Sequence, residues 1–150
     1  MREIEIIAVG KLKEEYLRNA ENYFQKELSK RITFRIITLM DEKTKDGAGI
    51  KEVDRVKRKE GEKIQRHIDS KAMVIAMDLG GKEVKSPAFK QLINEALYDN
   101  GKIQIIIGGS LGISEEVLKK TSKKITFSKM TYPHQLFRIM LLEELCHALL

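Results

Sequence analysis

The sequence has very few residues that could crosslink the chain or hold a metal ion. Its only cysteine, Cys146, has no second cysteine with which to form an intramolecular disulfide. The three histidines, His67, His134 and His147, are scattered over distant segments instead of forming the compact ligand set of a zinc site. We therefore expect a fold that is stabilised by neither a disulfide nor a metal.

Long hydrophobic runs are also missing. No stretch approaches the roughly 20 apolar residues of a membrane helix, and residues 1–6 alternate charged with apolar side chains instead of forming a signal-peptide core. Hydrophobic residues at 42% and charged residues at 33% are typical of a soluble globular protein. We expect a cytoplasmic protein without membrane contact, folded as one domain over residues 1–150, a length that suits one core.

The charge balance is basic but weakly informative. A formal net charge of +6 favours contact with phosphate backbones, although many basic proteins bind no nucleic acid. The excess is spread along the chain, and its densest part, residues 51–66, mixes lysine and arginine with acidic side chains. This segment reads most simply as an ordinary solvated helix.

Several motifs of known chemistry are absent. The glycine-containing segments 80–82 and 108–112 have neither the spacing G-x-G-x-x-G nor the ending G-K-[ST], so each alone is most simply a turn. Cys146 lies in an apolar helical context typical of a core residue, and no serine or histidine arrangement suggests a hydrolase triad. The acidic pairs at 115–116 and 143–144 are adjacent on helices, where neighbouring side chains point apart.

What the sequence does contain is an alternation of strand and helix patterns. Strands are predicted at 2–9, 32–39, 72–77, 103–107 and 125–127, and helices at 12–28, 50–69, from Ser86 as N-cap to 99, from Ser114, and from 133. This order predicts an α/β sandwich with a mostly parallel sheet. Ligands bind beyond the carboxyl ends of such strands, so we expect the loops 78–82, 108–113 and 128–132 to converge on one site.

The last predicted helix carries polar residues on an otherwise apolar surface. His134 and Arg138 are four residues apart and therefore share one face. A buried arginine needs an anion, a carbonyl or water, and Glu143 and Glu144 are candidate anions within the helix. Packing of this helix against a second copy of itself would explain both its apolar excess and the polar pair. We therefore expect a homodimer.

Two long segments carry a family resemblance. Residues 106–114 read Ile-Ile-Gly-Gly-Ser-Leu-Gly-Ile-Ser, and residues 130–144 read Met-Thr-Tyr-Pro-His-Gln-Leu-Phe-Arg-Ile-Met-Leu-Leu-Glu-Glu. Shorter matches are Ile-Ile-Ala-Val-Gly-Lys at 6–11, Lys-Glu-Gly-Glu at 59–62 and Met-Asp-Leu-Gly-Gly-Lys at 77–82. Together they cover essentially the whole chain. The sequence resembles the bacterial ribosomal RNA large subunit methyltransferase H family.

The resemblance implies a fold, a cofactor and a substrate. It implies the SPOUT class, whose C-terminal part forms a deep trefoil knot, an exception to the rule against knotted chains. It also implies a homodimer that uses S-adenosylmethionine to methylate N3 of a pseudouridine in 23S rRNA of the assembled 70S ribosome. The cofactor contacts that it implies here are Met77, Gly108, Phe127, Ser128, Lys129, Met130, Thr131 and Tyr132.

The chemistry of that reaction suggests catalytic candidates. A sulfonium methyl group is already activated and needs mainly alignment with its acceptor, but the imide nitrogen of the base must lose a proton. His134 and Arg138 are our candidates for assisting that loss, and Arg138 could equally orient a phosphate. No metal is required.

The C-terminal end departs from the family pattern. Members usually continue with Tyr-Arg-Ala, an aromatic residue and a tail ending near Pro-Tyr-His, whereas Cys146 and His147 stand at the tyrosine and arginine positions and the sequence ends at Leu150. The alternative function is therefore a non-catalytic ribosome-binding or RNA-binding protein of the SPOUT fold.

Overall fold

A five-stranded parallel sheet forms the centre of the protein. The computed structural model describes residues 2–44, 47 and 49–150. The strands are β1 (Glu3–Val9), β2 (Thr33–Leu39), β3 (Met73–Glu83), β4 (Lys102–Ile107) and β5 (Lys123–Thr126). They lie in the order β2-β1-β4-β3-β5, and every neighbouring pair is parallel. The predicted α/β class and parallel sheet are confirmed.

Helices cover both faces of the sheet. They are α1 (Glu15–Ser29), α2 (Ile50–Gln65), α3 (Ser86–Asn100), α4 (Glu115–Leu118) and α5 (His134–Ala148). One apolar core joins the sheet to α1, α3 and α5, and a second joins its other face to α2 and α4. Because alternate side chains of a strand point to opposite faces, Ile105 and Ile106 of the central strand β4 enter different cores. The result is a three-layer sandwich.

The strand β3 is longer than the sequence predicts. Met77 and Lys82 both pair with Ile125 of β5, so the intervening residues bulge outward and the strand then resumes as far as Glu83. A Cβ atom on Gly81 would lie only 2.5 Å from the carbonyl carbon of Lys124 and 2.6 Å from the backbone nitrogen of Ile125. Glycine at this position therefore permits the bulge to close against β5.

The two predicted N-caps have different outcomes. Ser114 caps α4 as predicted, since its hydroxyl oxygen accepts a hydrogen bond from the Val117 amide at 3.4 Å. Ser86 is the first residue of α3 rather than its cap, which is Lys85, and its hydroxyl donates to Glu144 of α5 at 2.9 Å. No helix within the described residues is long and apolar enough to cross a membrane.

Candidate functional site

A cavity of about 590 Å³ opens at the carboxyl ends of β3, β4 and β5. Its walls come mainly from three segments, 77–79, 107–113 and 125–134, with Phe137 from α5 and Lys57 from α2 closing the sides. Small-molecule sites commonly enclose roughly 300–1,000 Å³, so the cavity has the size of a cofactor pocket. The predicted loops 108–113 and 128–132 meet here. The predicted loop 78–82 belongs to strand β3 instead, and only its first two residues reach the cavity.

Most of the predicted cofactor residues line this cavity. They are Met77, Gly108, Ser128, Met130, Thr131 and Tyr132. The side chains of Phe127 and Lys129 lie elsewhere. The Phe127 ring packs between Phe89 and Phe137, with ring centroids 5.1 and 5.5 Å away, whereas Lys129 is exposed to solvent.

Glycine shapes the wall that follows β4. A Cβ atom on Gly108 would lie 2.7 Å from Cγ1 of Ile113 and 2.9 Å from the carbonyl carbon of Gly112, closer than side chains tolerate. The Gly112 amide donates to the Gly109 carbonyl at 3.0 Å, and Gly112 adopts a φ of 91°, which favours glycine. The glycine loop, defined here as residues 108–112, therefore folds back tightly, and all five of its residues line the cavity. A backbone without bulky side chains lets a ligand approach it closely.

The opposite wall is ordered by local hydrogen bonds. The Thr126 hydroxyl donates to the Ser128 carbonyl at 2.8 Å, and the Ser128 hydroxyl oxygen accepts from the Met130 amide at 3.0 Å. Serine and threonine commonly stabilise turns in this way, by bonding to nearby backbone. The segment between β5 and α5 is therefore a preformed turn, and it bends around the cavity.

His134, a predicted catalytic residue, faces the same cavity at the beginning of α5. Partial burial lowers the pKa of its imidazole, and the positive charge of Arg138 lowers it further. Asp41 opposes these effects. The lowered pKa favours the neutral imidazole, in which one ring nitrogen can accept a proton.

Arg138, the other predicted catalytic residue, does not line the cavity. Its side chain is 2% exposed, its guanidinium donates to the Gly10 carbonyl, and Nη1 lies 3.4 Å from Oε2 of Glu21 in α1. The expectation that Glu143 or Glu144 serves as its anion is wrong, because both face away along α5. Arg138 instead ties α5 to the end of β1 and to α1.

The glutamates of α5 have other partners. Glu144 accepts from Ser86, and Glu143 lies 3.8 Å from Nε2 of His147. The polar pair on α5 is explained within one chain, because Arg138 bonds to Gly10 and Glu21 and His134 lines the cavity. The homodimer consequently remains a prediction that the buried arginine does not support.

Sequence patterns missed two charged residues of the cavity. Lys57 and Glu115 both line it, as does Asp78 of the predicted loop 78–82. The signal for Lys57 was present, since it shares a helical face with Gly61 and Ile64, which are buried in α2. No group of three or more histidine, cysteine, aspartate or glutamate residues within the described chain could hold a metal ion.

Comparison with known families assigns the class of protein. The model of the predicted SPOUT methyltransferase family matches residues 2–149. SPOUT methyltransferases have a knotted α/β fold, and the parallel sheet with its pocket at the carboxyl ends of the last strands agrees with that class. The chain is a SPOUT methyltransferase by sequence and by fold.

Individual relatives narrow the assignment. The chain is 50% identical over 146 residues to the ribosomal RNA large subunit methyltransferase H of Clostridium botulinum strain Kyoto, covering 97% of this chain and 92% of that protein. It is also 50% identical over 143 residues to the protein of the same name from Clostridium kluyveri, covering 95% and 90%. The chain therefore belongs to the ribosomal RNA large subunit methyltransferase H family, as the resemblance indicates.

Proposed function

We propose that this protein is a cytoplasmic, homodimeric methyltransferase that uses S-adenosylmethionine to methylate N3 of a pseudouridine in the 23S rRNA of the assembled 70S ribosome. The observation that carries the proposal is the cavity between the glycine loop and the turn that precedes α5. The family assignment supplies the reaction class. Pseudouridine N3 is the most specific part of the proposal.

The walls of the cavity fit the parts of the proposed cofactor. Gly108 lines the cavity and, having no side chain, lets the loop fold against Ile113 and Gly112, while Met77 contributes an apolar surface for an adenine ring. Backbone groups of residues 127–132 would supply hydrogen bonds to its edge. Phe127 and Lys129 do not line the cavity, and any contact that they make with the cofactor would come from their backbone.

In the proposed chemistry, His134 is the group that accepts the proton from the methylated base. When bound, S-adenosylmethionine supplies a methyl group that is already activated by its sulfonium charge. His134 lines the cavity, its lowered pKa favours the neutral imidazole, and that imidazole would accept the proton that the acceptor nitrogen loses. Arg138 would act through His134, because its charge lowers the pKa of that imidazole. The proposed reaction requires no metal ion.

Calorimetry with purified protein tests the cofactor. We expect S-adenosylmethionine to bind with a micromolar dissociation constant. Gly108→Ala should weaken binding by at least ~100-fold, because the added methyl group would meet Ile113 and the backbone of Gly112. Gly49→Ala is the matched control, since among the described residues its methyl group would meet no heavy atom within 4 Å beyond its chain neighbours. Absence of binding by the unaltered protein would contradict the proposal.

Methyl transfer tests the substrate. Labelled S-adenosylmethionine should transfer its methyl group to 70S ribosomes from cells that lack the modification, and mass spectrometry of the rRNA fragments should place the label on N3 of one pseudouridine. Labelling of another base would support methyltransferase activity but contradict pseudouridine N3 as the methylated position. Salt-sensitive ribosome binding without any transfer would favour the non-catalytic alternative.

A further inference from the structure

Glu60 is a buried carboxyl group for which the proposed reaction has no direct use. It lies near the end of α2, inside the Lys-Glu-Gly-Glu motif at 59–62, and is 4% exposed. Its Oε2 accepts a hydrogen bond from the Glu42 amide at 3.0 Å. Its Oε1 is buried and has no hydrogen-bond partner among the described residues. A buried polar atom without a partner is costly, so its position calls for an explanation.

The free oxygen of Glu60 lies against the glycine loop. A Cβ atom on Gly109 would be 2.8 Å from Oε1 and 3.2 Å from Oε2 of Glu60. The carboxyl group therefore touches the Gly109 backbone from the side of α2. Gly109 also lines the cavity, whereas Glu60 does not. The glycine loop thus separates the Glu60 carboxyl group from the cavity.

The next residue of the motif touches the far end of the same segment. Gly61 packs directly on Ser114, and a Cβ atom there would collide with the Ser114 hydroxyl. Ser114 is the N-cap of α4 and lies at the end of the segment that connects β4 to α4. Consecutive residues of α2 therefore hold the chain on both sides of its turn, at Gly109 and at Ser114.

The electrostatic environment of Glu60 agrees with a structural role for its carboxyl group. Burial raises the pKa of the Glu60 carboxyl group, and the nearby charges of Asp41 and Glu42 raise it further. The Glu42 amide and Lys63 act in the opposite direction. The carboxyl group is therefore biased toward the neutral acid, a form that tolerates contact with an apolar α-carbon better than a carboxylate.

We propose that Glu60 is a positioning residue that fixes the glycine loop in the arrangement that binds the cofactor. The inference rests on the proposed use of S-adenosylmethionine. It assigns a role to the Lys-Glu-Gly-Glu motif, which neither lines the cavity nor carries chemistry of its own. The carboxyl group fills the space between the Glu42 amide and Gly109. Without it, the glycine loop is free to move away from the cavity.

A double-mutant cycle between Glu60 and Gly109 tests the contact. Glu60→Ala and Gly109→Ala should each raise the dissociation constant for S-adenosylmethionine about tenfold. The first substitution removes the contact that holds the glycine loop, and the second pushes the loop away from the Glu60 carboxyl group. The double variant should also be about tenfold weaker, not a hundredfold, because the new methyl group fills the space that the carboxyl group leaves. A multiplicative effect would overturn the proposal.

Two further variants separate positioning from general stability. Glu60→Gln keeps the shape and the acceptor, and should bind within about threefold of the unaltered protein. Glu5→Ala removes another buried carboxylate, which is bonded to Gln104, three residues before the end of β4. We expect Glu5→Ala to lower the melting temperature without weakening cofactor binding. Equal weakening by Glu5→Ala and Glu60→Ala would show that Glu60 acts only through stability, and would reject the role.

Backbone NMR of the ligand-free protein keeps this inference distinct from the proposed function. Glu60→Ala should shift the amide resonances of Gly108, Gly109 and Gly112, and Gly109→Ala should shift fewer of them in the Glu60→Ala background. That coupling is expected even if S-adenosylmethionine fails to bind, in which case only the proposed function is rejected. Unchanged loop resonances in Glu60→Ala reject the positioning role.

Discussion

Arg138 shows how one residue can link three parts of the chain. Its buried guanidinium joins α5 to the Gly10 carbonyl and to Glu21. Arg138→Met preserves apolar volume but leaves both acceptors without their partner, so we expect a loss of about 3 kcal/mol in the free energy of unfolding. Urea denaturation measures this change. Arg58→Met, at an exposed site on α2, should change stability by less than about 0.5 kcal/mol.

The same variant distinguishes structure from direct catalysis. At a temperature where Arg138→Met remains folded, the affinity for S-adenosylmethionine should stay within about threefold of the unaltered protein, because Arg138 does not line the cavity. A variant that is fully stable but lacks methyl transfer would show that the guanidinium acts in the reaction, through His134 or on the substrate.

His134 makes a prediction about pH. Its pKa is lowered in the folded protein from the usual value of 6.5, so the unfolded chain binds a proton that folded His134 resists. The contribution of His134 to stability is therefore complete above pH 6.5 and is lost as the pH falls toward the folded pKa. NMR titration of the imidazole should show a midpoint below 6.5, and stability should fall less below that pH in His134→Gln. A midpoint at or above 6.5 would refute the assignment.

If His134 is the catalytic base, the reaction carries the same signature. The value of kcat/KM for the ribosome should fall at acid pH with the midpoint measured by NMR, because only the neutral imidazole accepts a proton. His134→Gln should lower kcat at every pH while leaving the affinity for the cofactor nearly unchanged. A variant that retains full kcat would assign proton removal to another group.

At the scale of elements, the bulge in β3 connects the sheet to the cavity. Gly81→Ala places a methyl group against the backbone of Lys124 and Ile125, so β5 must shift. We expect a loss of about 2 kcal/mol in stability and faster amide hydrogen exchange at Ile125 and Thr126. Gly80→Ala is the control, because its methyl group meets only the flexible carboxylate of Asp78 at 3.2 Å. Similar exchange in the two variants would contradict the role of Gly81.

Local pattern and long-range pairing contribute differently to what the sequence predicts. The β-branched run 103–107 and the apolar periodicity of α5 are local signals, and both elements occur as predicted. The extension of β3 depends on pairing between Lys82 and Ile125, which lie 43 positions apart in the numbering, so the two glycines read as a plain turn. A knot likewise depends on how the chain threads through a loop, which hydrophobic periodicity does not reveal.

The site follows the same division. Convergence of loops at the carboxyl edge of the sheet follows from the general geometry of parallel α/β folds, and it is found for 108–113 and 128–132, whereas 78–82 continues β3. The partners of Arg138 were missed because Gly10 and Glu21 are 128 and 117 residues distant in the chain. Glu60 was missed because a glutamate in a charged helix reads as solvent-exposed, whereas its burial depends on the glycine loop.

At the scale of the whole molecule, charge should act on the RNA step and not on the cofactor step. The net charge of +6 is spread over the chain, and ribosomal RNA is a dense array of phosphates. Binding that displaces counterions weakens steeply with salt. S-adenosylmethionine, the proposed cofactor, is small and carries a low net charge, so its binding should displace few ions.

The two substrates should therefore respond differently to ionic strength. Between 50 and 200 mM salt we expect kcat/KM for the ribosome to fall at least ~10-fold, which corresponds to two or more phosphate contacts on the usual linear relation, while the dissociation constant of S-adenosylmethionine changes less than about twofold. Filter assays of methyl transfer and calorimetry in the same buffers measure both. If the two quantities weakened in parallel, the salt would be acting on the fold or on the cavity. The spread positive charge would then have no part in recognition of the ribosome.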